Sequence, residues 1–348
     1  MSSPTCDIAV TGIAAISAAG VGADPLRQLL ADGGSALAPV PADISPRPGC
    51  LWGKADQFRA ADFMPPLKAR KFDRCSLFTV VAAGMALKNA GIDPAAGPAE
   101  RVGIALGCGF GGIANSVDFL GGYFARGTEG LIPMLFPNTV PNAPASNASI
   151  EHGLKGPNVT QVQRFCSAEA ALQMACRFLD EGRADVMLAG GVDELNHHIL
   201  RGFASTGQLR RWARSFGEGC GLLVLERGES ARRRGAPIMA TVDGIRTVGR
   251  LLPGAEATGL DLLLDATRPD LTCFSGVADE LPAFADRLAG VPAISTTPIL
   301  GRSLAMGGLA LVAQILSLQP GQRGLHLAAS PEGPYFAIDL RGGDPVLP

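Results

Sequence analysis

The sequence predicts an α/β protein with buried sheets, and three observations carry that prediction. Short apolar runs of strand length alternate with segments of helical period along the whole chain. Hydrophobic residues make up 47% of the 348 positions and charged residues only 18%, so a large core can form and disorder is not expected. Glycine is abundant (45 residues) and aromatics are scarce at 5%, a mixture that lets helices lie close on sheets.

The strands and helices follow in order. Residues 8–13 form a short apolar run with a glycine near its end, a buried strand, and 24–31 a helix. Residues 34–66 are rich in Pro and Gly and irregular. Phe78, Val81, Ala82, Met85, Ala86 and Leu87 mark an amphipathic helix over 73–90, closed by Gly91. Residues 102–107 are a strand running into Gly107-Cys108-Gly109-Phe110-Gly111-Gly112. That cluster lacks both the GxGxxG spacing and the later acidic residue of a nucleotide site. A rigid loop, Phe136-Pro137-Asn138-Thr139-Val140-Pro141-Asn142, leads into a helix of small residues over 142–152. Strands are expected at 185–189, 222–226, 238–242 and 335–340. Helices are expected at 196–204, 229–234, 260–264, 281–288 and 303–318.

The central stretch is Val159-Thr160-Gln161-Val162-Gln163-Arg164-Phe165-Cys166-Ser167-Ala168-Glu169. It reads as a strand, an abrupt turn at Cys166, and a helix over 167–181 marked by Ala168, Ala171, Leu172, Ala175, Cys176 and Leu179. A thiol at such a turn meets unpaired backbone N–H groups and the positive end of the helix dipole, which favour the thiolate. Glu169 would raise the thiol pKa if it points inward, whereas Arg164 would lower it. The bland alternative is a small buried residue with no chemistry.

Composition narrows the function classes. A net charge of −2 leaves no footprint for nucleic acid or an anionic membrane. Arg210, Arg211 and Arg214, and the run Arg232-Arg233-Arg234, read as solvated faces; the functional alternative is docking of an acidic partner. The eight cysteines show neither metal-ligand spacing nor a disulfide framework, so no metal and no cofactor is expected and a reducing cytoplasm is the simple reading. The N-terminus has no signal-peptide pattern, and the apolar run 304–318 is too short and glycine-rich to span a bilayer.

Seven spaced motifs resemble the β-ketoacyl synthase branch of the thiolase-fold condensing enzymes. They are Val10-Thr11-Gly12-Ile13, Val102-Gly103-Ile104-Ala105-Leu106-Gly107, Phe136-Pro137-Asn138-Thr139-Val140, Gly156-Pro157-Asn158-Val159-Thr160, Cys166-Ser167-Ala168, the run 184–191 and the run 216–226. The resemblance covers most of residues 7–240. It implies a five-layer αβαβα body of two topologically similar halves, here expected at 1–215 and 216–348, and usually a dimer. It also places Cys166 at the acyl-accepting nucleophile, Phe136 on a loop reaching towards the neighbour's acyl pocket, and the 156–163 strand where dimers join their sheets.

The second half departs from the family pattern. Cys273-Phe274-Ser275-Gly276-Val277 stands where the resemblance implies a His-Gly-Thr-Gly-Thr motif. In the lysine–histidine motif, Pro298 stands near the lysine and Arg302 replaces the histidine. The glycine-rich phenylalanine gate has become Ser330-Pro331-Glu332-Gly333-Pro334-Tyr335-Phe336. Of the four histidines, His152, His197, His198 and His326, only the adjacent pair suggests a substitute role, and the bland reading of that pair is a helix surface. Losing one donor to a developing enolate typically costs about 10²–10³ in rate.

These departures give the leading expectation, with Phe136, Phe274 and Arg302 as pocket residues. It is a subunit similar to chain-length factors, paired with a catalytic ketosynthase or with itself, serving acyl carrier protein in a type II polyketide or fatty-acid-like pathway. Against a simple match, those factors usually lack the cysteine. The alternatives are a Cys166-dependent acyltransferase or thioesterase, and a module that holds an acyl carrier protein.

Overall fold

The computed structural model describes residues 7–44, 49–206, 215–250, 254, 256–264 and 268–343. The arginines at 210, 211 and 214 lie outside them. Ten principal strands, among the described residues, join one continuous sheet. They are β1 (Ile8–Ser17), β2 (Val102–Cys108), β3 (Asn158–Gln161), β4 (Val186–Asp193) and β5 (Gly219–Arg227), then β6 (Ala240–Val248), β7 (Leu271–Gly276), β8 (Ala293–Ser295), β9 (Arg323–Ala329) and β10 (Tyr335–Gly342). The first five lie in the order β3-β2-β4-β5-β1 and the second five in the order β8-β7-β9-β10-β6. Counted within each set, both read 3-2-4-5-1, and the fifth strand runs antiparallel to both neighbours. The two halves therefore repeat one topology. They meet where Ile8, Ala9 and Val10 pair with Val242, Thr241 and Ala240. By strand membership the division falls between Arg227 and Ala240, because β5 belongs with β4 and β1; a boundary at 215 would cut it away.

The helices are α1 (Ala23–Ala31), α2 (Arg74–Ala90), α3 (Ile113–Arg126), α4 (Ala143–His152), α5 (Ser167–Asp180), α6 (His197–Ser205), α7 (Gly228–Arg233), α8 (Glu256–Leu263), α9 (Pro282–Arg287) and α10 (Gly307–Ser317). Five layers result. Helices α2 and α4 cover one face of the first strand set, with Phe78, Val81 and Ala148 against Leu106, Leu188 and Val224. Between the two sets lie α5 and α10, whose Leu172, Leu179, Leu309 and Val312 meet Met187 and Leu223 on one side and Val242 and Ile338 on the other. Leu260, Leu263 and Phe284 of α8 and α9 close the far face over Leu325 and Leu327. Strands β1, β2, β4 and, but for its last residue, β5 are fully buried, which explains their unbroken apolar runs.

Most expected elements stand where the periodicity put them. Helix α2 begins at the Asp73 cap, whose Oδ1 accepts the Ser76 N–H at 3.1 Å, and ends at Gly91 with φ 66°. Helix α10 starts at 307 rather than 303, because the preceding residues are bound elsewhere. Ser303 Oγ and the Ala305 N–H both donate to Asp193 Oδ2 at 2.7 Å, while Asp193 Oδ1 accepts from the Gly109 and Phe110 N–H groups. One carboxylate thus ties the loop after β2 to the approach to α10. Helix α3 and strands β7, β8 and β9 were not foreseen from the sequence.

A second buried carboxylate, Glu218, organises the base of α2. It accepts from Lys54 at 2.8 Å, from Arg74 at 2.6 and 3.0 Å, and from the Ala55 and Leu195 N–H groups. Burial pushes its pKa up, but the Arg74 and Lys54 contacts outweigh burial and hold it below the ordinary carboxylate value. A depressed folded-state pKa gives stability that is present above the unfolded value of 4.5 and lost as pH falls through the lower, folded value. Glu218→Gln should therefore cost about 2–4 kcal/mol at neutral pH, less than a fully enclosed pair because Lys54 and Arg74 reach solvent. Its Tm should also fall less steeply than wild type on acidification below about pH 4.5, as read by thermal melts across pH.

Candidate functional site

Strand β3 delivers the chain to a tight turn, and α5 leaves from it. Arg164–Cys166 form one turn of 3-10 helix, with Arg164 at φ 54° in the left-handed region, a cost of about 1–2 kcal/mol for a side-chain-bearing residue. Ser167 secures the turn: its hydroxyl accepts the Gln163 N–H at 2.9 Å and donates to the Arg164 carbonyl at 2.7 Å. Gly107 of β2 lets the start of α5 come close, since a Cβ there would lie 2.4 Å from the Ser167 carbonyl carbon. Cys166 is thereby set at the N-cap of a 14-residue helix, as the sequence pattern requires.

The surroundings then oppose thiolate formation. Cys166 has no exposed surface and packs with Ala170, Ala328 and Phe336. Its Sγ donates to the Pro334 carbonyl at 3.2 Å, and Ser330 Oγ donates to Sγ at 3.6 Å. Arg164 turns outward and pairs with Glu332 at 2.6 Å, whereas Glu169 turns inward. Burial first, and the Glu169 charge second, push the thiol well above its ordinary range; the Ser330 contacts recover only part. The Cys166 N–H, a natural oxyanion donor, is already given to the Gln163 carbonyl at 3.1 Å. In the 330–336 loop the Ser330 and Gly333 N–H groups bond within the loop, and Pro331 and Pro334 have none to offer.

Glu169 itself is enclosed in a cluster that sequence reasoning misses. Its Oε1 accepts from Ser275 Oγ at 2.5 Å and lies 2.8 Å from His326 Nε2, with Ser275 Oγ 3.3 Å from the same nitrogen. Ser275 comes from β7, His326 from β9 and Glu169 from α5, and all three are buried. The carboxylate rests over Gly307, where a Cβ would lie 2.1 Å from Oε1, at the first turn of α10. The three do not form a proton relay of the Ser–His–acid kind. Serine and acid share one ring nitrogen, and His326 Nδ1 has no partner. The available signal in the sequence was a histidine at an inward position of the apolar run 324–329.

The other three expected site residues lie apart from the thiol. Arg302 is 5% exposed, and its fork is held by Glu280 at 2.6 Å and Asp279 at 3.1 Å. Its backbone bonds to Ser215 and Gly217. Phe274 alternates with Cys273 and Ser275 on β7, so it faces the outer cluster and lines a cavity of about 250 Å³ with Asp279, Leu281 and Leu288. Phe136 is 62% exposed and touches Phe119 with ring centroids 5.8 Å apart. His197 and His198 stack on each other at the start of α6 and do not join the Cys166 region by any hydrogen bond in the described residues.

Residues 5–231 match the family model described as Beta-ketoacyl synthase, N-terminal domain. The chain belongs to the β-ketoacyl synthase family. It is 33% identical over 266 residues to the 3-oxoacyl-[acyl-carrier-protein] synthase 2 of Rhizobium meliloti (strain 1021), covering 68% of this chain and 63% of that protein. To the corresponding enzyme of Staphylococcus aureus it is 29% identical over 248 residues, covering 66% and 62%. The match spans less than two thirds of the length of these relatives. Among solved structures, the ishigamide ketosynthase/chain length factor superposes with a TM-score of 0.80 at 24% identity, over 97% of this chain and all of that one. A β-ketoacyl synthase from Burkholderia phymatum STM815 gives 0.82 at 20%, again over 97% of this chain and 100% of the other. A ketosynthase in complex with its type II PKS acyl-carrier protein gives 0.83 at 19%, with the same coverages. At these identities the likeness establishes the thiolase-like ketosynthase fold.

Within that β-ketoacyl synthase frame, the cysteine at the strand–helix turn is enclosed and its thiol is pushed up. Native chain should resist iodoacetamide at Cys166 near neutral pH, while denatured chain labels fully. Glu169→Gln removes the charge that opposes the thiolate, so the pH midpoint of labelling should move downward. Peptide mass spectrometry across a pH series reads both, and an unchanged midpoint in the variant would show that burial alone sets the thiol.

Proposed function

We propose that the chain is a ketosynthase-like subunit of chain-length-factor type. In this reading it pairs with a catalytic ketosynthase of a type II polyketide or fatty-acid-like synthase, shapes the acyl pocket, and does not condense acyl units alone. The observation that carries the reading is helix α3. Fourteen residues long, it has no buried residue, and Val117, Leu120, Tyr123 and Phe124 are exposed along it. Met134 and Phe136 extend the apolar surface through the following turns to Ile150 on α4. Beside α4 lies β3, the outermost strand of its set, paired only to β2. An apolar helix face next to an open strand edge calls for a partner of matching architecture.

Three further points support the reading. The thiol is raised and enclosed, Arg302 is held by its own acids where the family pattern has a histidine, and the solved structures with this fold include a ketosynthase/chain length factor. Acyl carrier protein enters as the partner of the assembled pair, by analogy with the carrier complex of the same fold. Cys50, Cys75, Cys108, Cys166, Cys220 and Cys273 are free and buried, in keeping with a reducing cytoplasm. Acyl transfer or thioester hydrolysis by Cys166 alone would require a thiolate and a free oxyanion donor. Neither is favoured by the geometry around the elbow.

Co-expression with a ketosynthase from the same pathway, followed by size-exclusion chromatography and intact mass after exposure to acyl-carrier thioesters, tests the proposal. A stable heterodimer, with acyl groups on the ketosynthase and none on this chain, is expected. Phe124→Asp should weaken association at least ~30-fold, the loss of about one hot-spot contact of 2 kcal/mol. Acylation of the isolated chain, abolished by Cys166→Ala, would overturn the reading in favour of an enzyme. A chain that forms only homodimers would overturn the partner assignment.

A further inference from the structure

A second buried cluster lies away from Cys166, at the start of α2. One carboxylate oxygen of Asp73, the Cys75 thiol and one carboxylate oxygen of Glu194 lie within 4.8 Å of one another, and all three residues are buried. The Cys108 thiol, at the end of β2, is a hydrogen-bonding neighbour of Cys75. Asp73 Oδ1 is used to cap α2, but Oδ2 is enclosed and has no hydrogen-bond partner, on a residue only 5% exposed. Glu194 Oε1 accepts the Ala114 N–H and Asn196 Nδ2, each at 3.1 Å. Arg74, the cation whose charge reaches Glu194, gives its guanidinium to Glu218 and the Ala55 carbonyl instead. Two enclosed carboxyl groups beside two thiols, with the adjacent cation committed elsewhere, are costly unless protons or a bound cation neutralise them.

We propose that Asp73, Cys75 and Glu194 form a binding site for a divalent metal ion of the zinc class, with water in the fourth position. The donor set decides the class. Hard cations such as Mg²⁺ and Ca²⁺ take oxygen alone, whereas mixed thiolate and carboxylate donors in a four-ligand set suit Zn²⁺ and its neighbours. Bond lengths of about 2.0–2.3 Å place tetrahedral ligand atoms roughly 3.3–3.8 Å apart, so the cluster closes by about 1 Å on binding. Each thiol that ligates releases its proton to solvent as the metal–sulfur bond forms. The site is invisible to motif reading because its ligands come from two places far apart in sequence: the start of α2 and the residue after β4. It does not depend on the proposed function. An ion there would pin the root of the segment that presents α3, since Glu194 also holds the first turn of that helix through Ala114.

The test uses the full chain, reduced and stripped with chelator, titrated with Co²⁺. One ion per chain is expected, with a thiolate-to-cobalt charge-transfer band that Zn²⁺ displaces. The band should vanish in Cys75→Ser, and Glu194→Gln should bind Co²⁺ at least ~10-fold more weakly, while Cys50→Ser keeps the wild-type titration. Far-UV circular dichroism establishes that each variant is folded. If Cys75→Ser does not fold, a rise in wild-type Tm with Zn²⁺ that is absent in Glu194→Gln supports the site equally. A folded wild-type chain with no thiolate band at saturating Co²⁺, or a band that survives in folded Cys75→Ser, overturns the proposal.

Discussion

The Glu169 carboxylate sits where four elements of the central layer converge, and the condition of the Cys166 region follows from how it is held. It reaches from the first turn of α5 to Ser275 on β7 and His326 on β9, and rests on Gly307 at the start of α10. A buried charge must be hydrogen-bonded or paired; these contacts supply that need at Oε1, while Oε2 is enclosed without a partner. The same charge works against ionisation of the neighbouring thiol. Helix α5 brings a dipole that would favour a thiolate at its N-cap. Enclosure by Phe336 and Ala328, together with this one inward acid, reverses the outcome.

Protection at the elbow and exposure at α3 describe one division of labour. Inside the fold these polar groups are bonded mainly to one another: Arg302 with Asp279 and Glu280, Glu169 with Ser275 and His326, Cys166 with the Pro334 carbonyl, while Arg302 Nε, Glu169 Oε2 and His326 Nδ1 are enclosed without a partner. The unsatisfied surface lies outside, on an apolar helix and an open strand edge. In the proposed partner role, a chain arranged this way keeps the architecture of its family and moves its unmet contacts from chemistry to association. That is the physical content of the partner reading.

Much of the frame was legible because local signals agreed with the fold. Helix α2 carried its Asp73 cap, its apolar stripe and its Gly91 stop in consecutive sequence, and α5 showed an unbroken apolar period. Helix α3 was not legible, since Gly121 and Gly122 weaken its propensity and none of its residues is buried to mark a stripe. The cysteine elbow could be read from its strand–turn–helix pattern. Its electrostatics could not, because Glu169 and His326 are separated by 157 residues and meet only through strand register. For the same reason the direction in which Glu169 and Arg164 pointed had to come from the three-dimensional arrangement.

The seam between the two strand sets bears on how the chain acquires its structure. Strand β1 is buried along all ten of its residues and, apart from a local pairing of Ile16 and Ser17 with Val21 and Gly20, pairs on both sides with strands from beyond residue 218. During synthesis most of it must therefore wait for its partners until residues 220–227, and then 240–242, have been made. Contacts this distant in sequence slow folding and leave edges open to wrong pairings. The nascent first half thus depends on shielding by chaperones or by its own early helices. The first repeat, though alike in topology to the second, therefore cannot close until its own fifth strand, ending at Arg227, has been made.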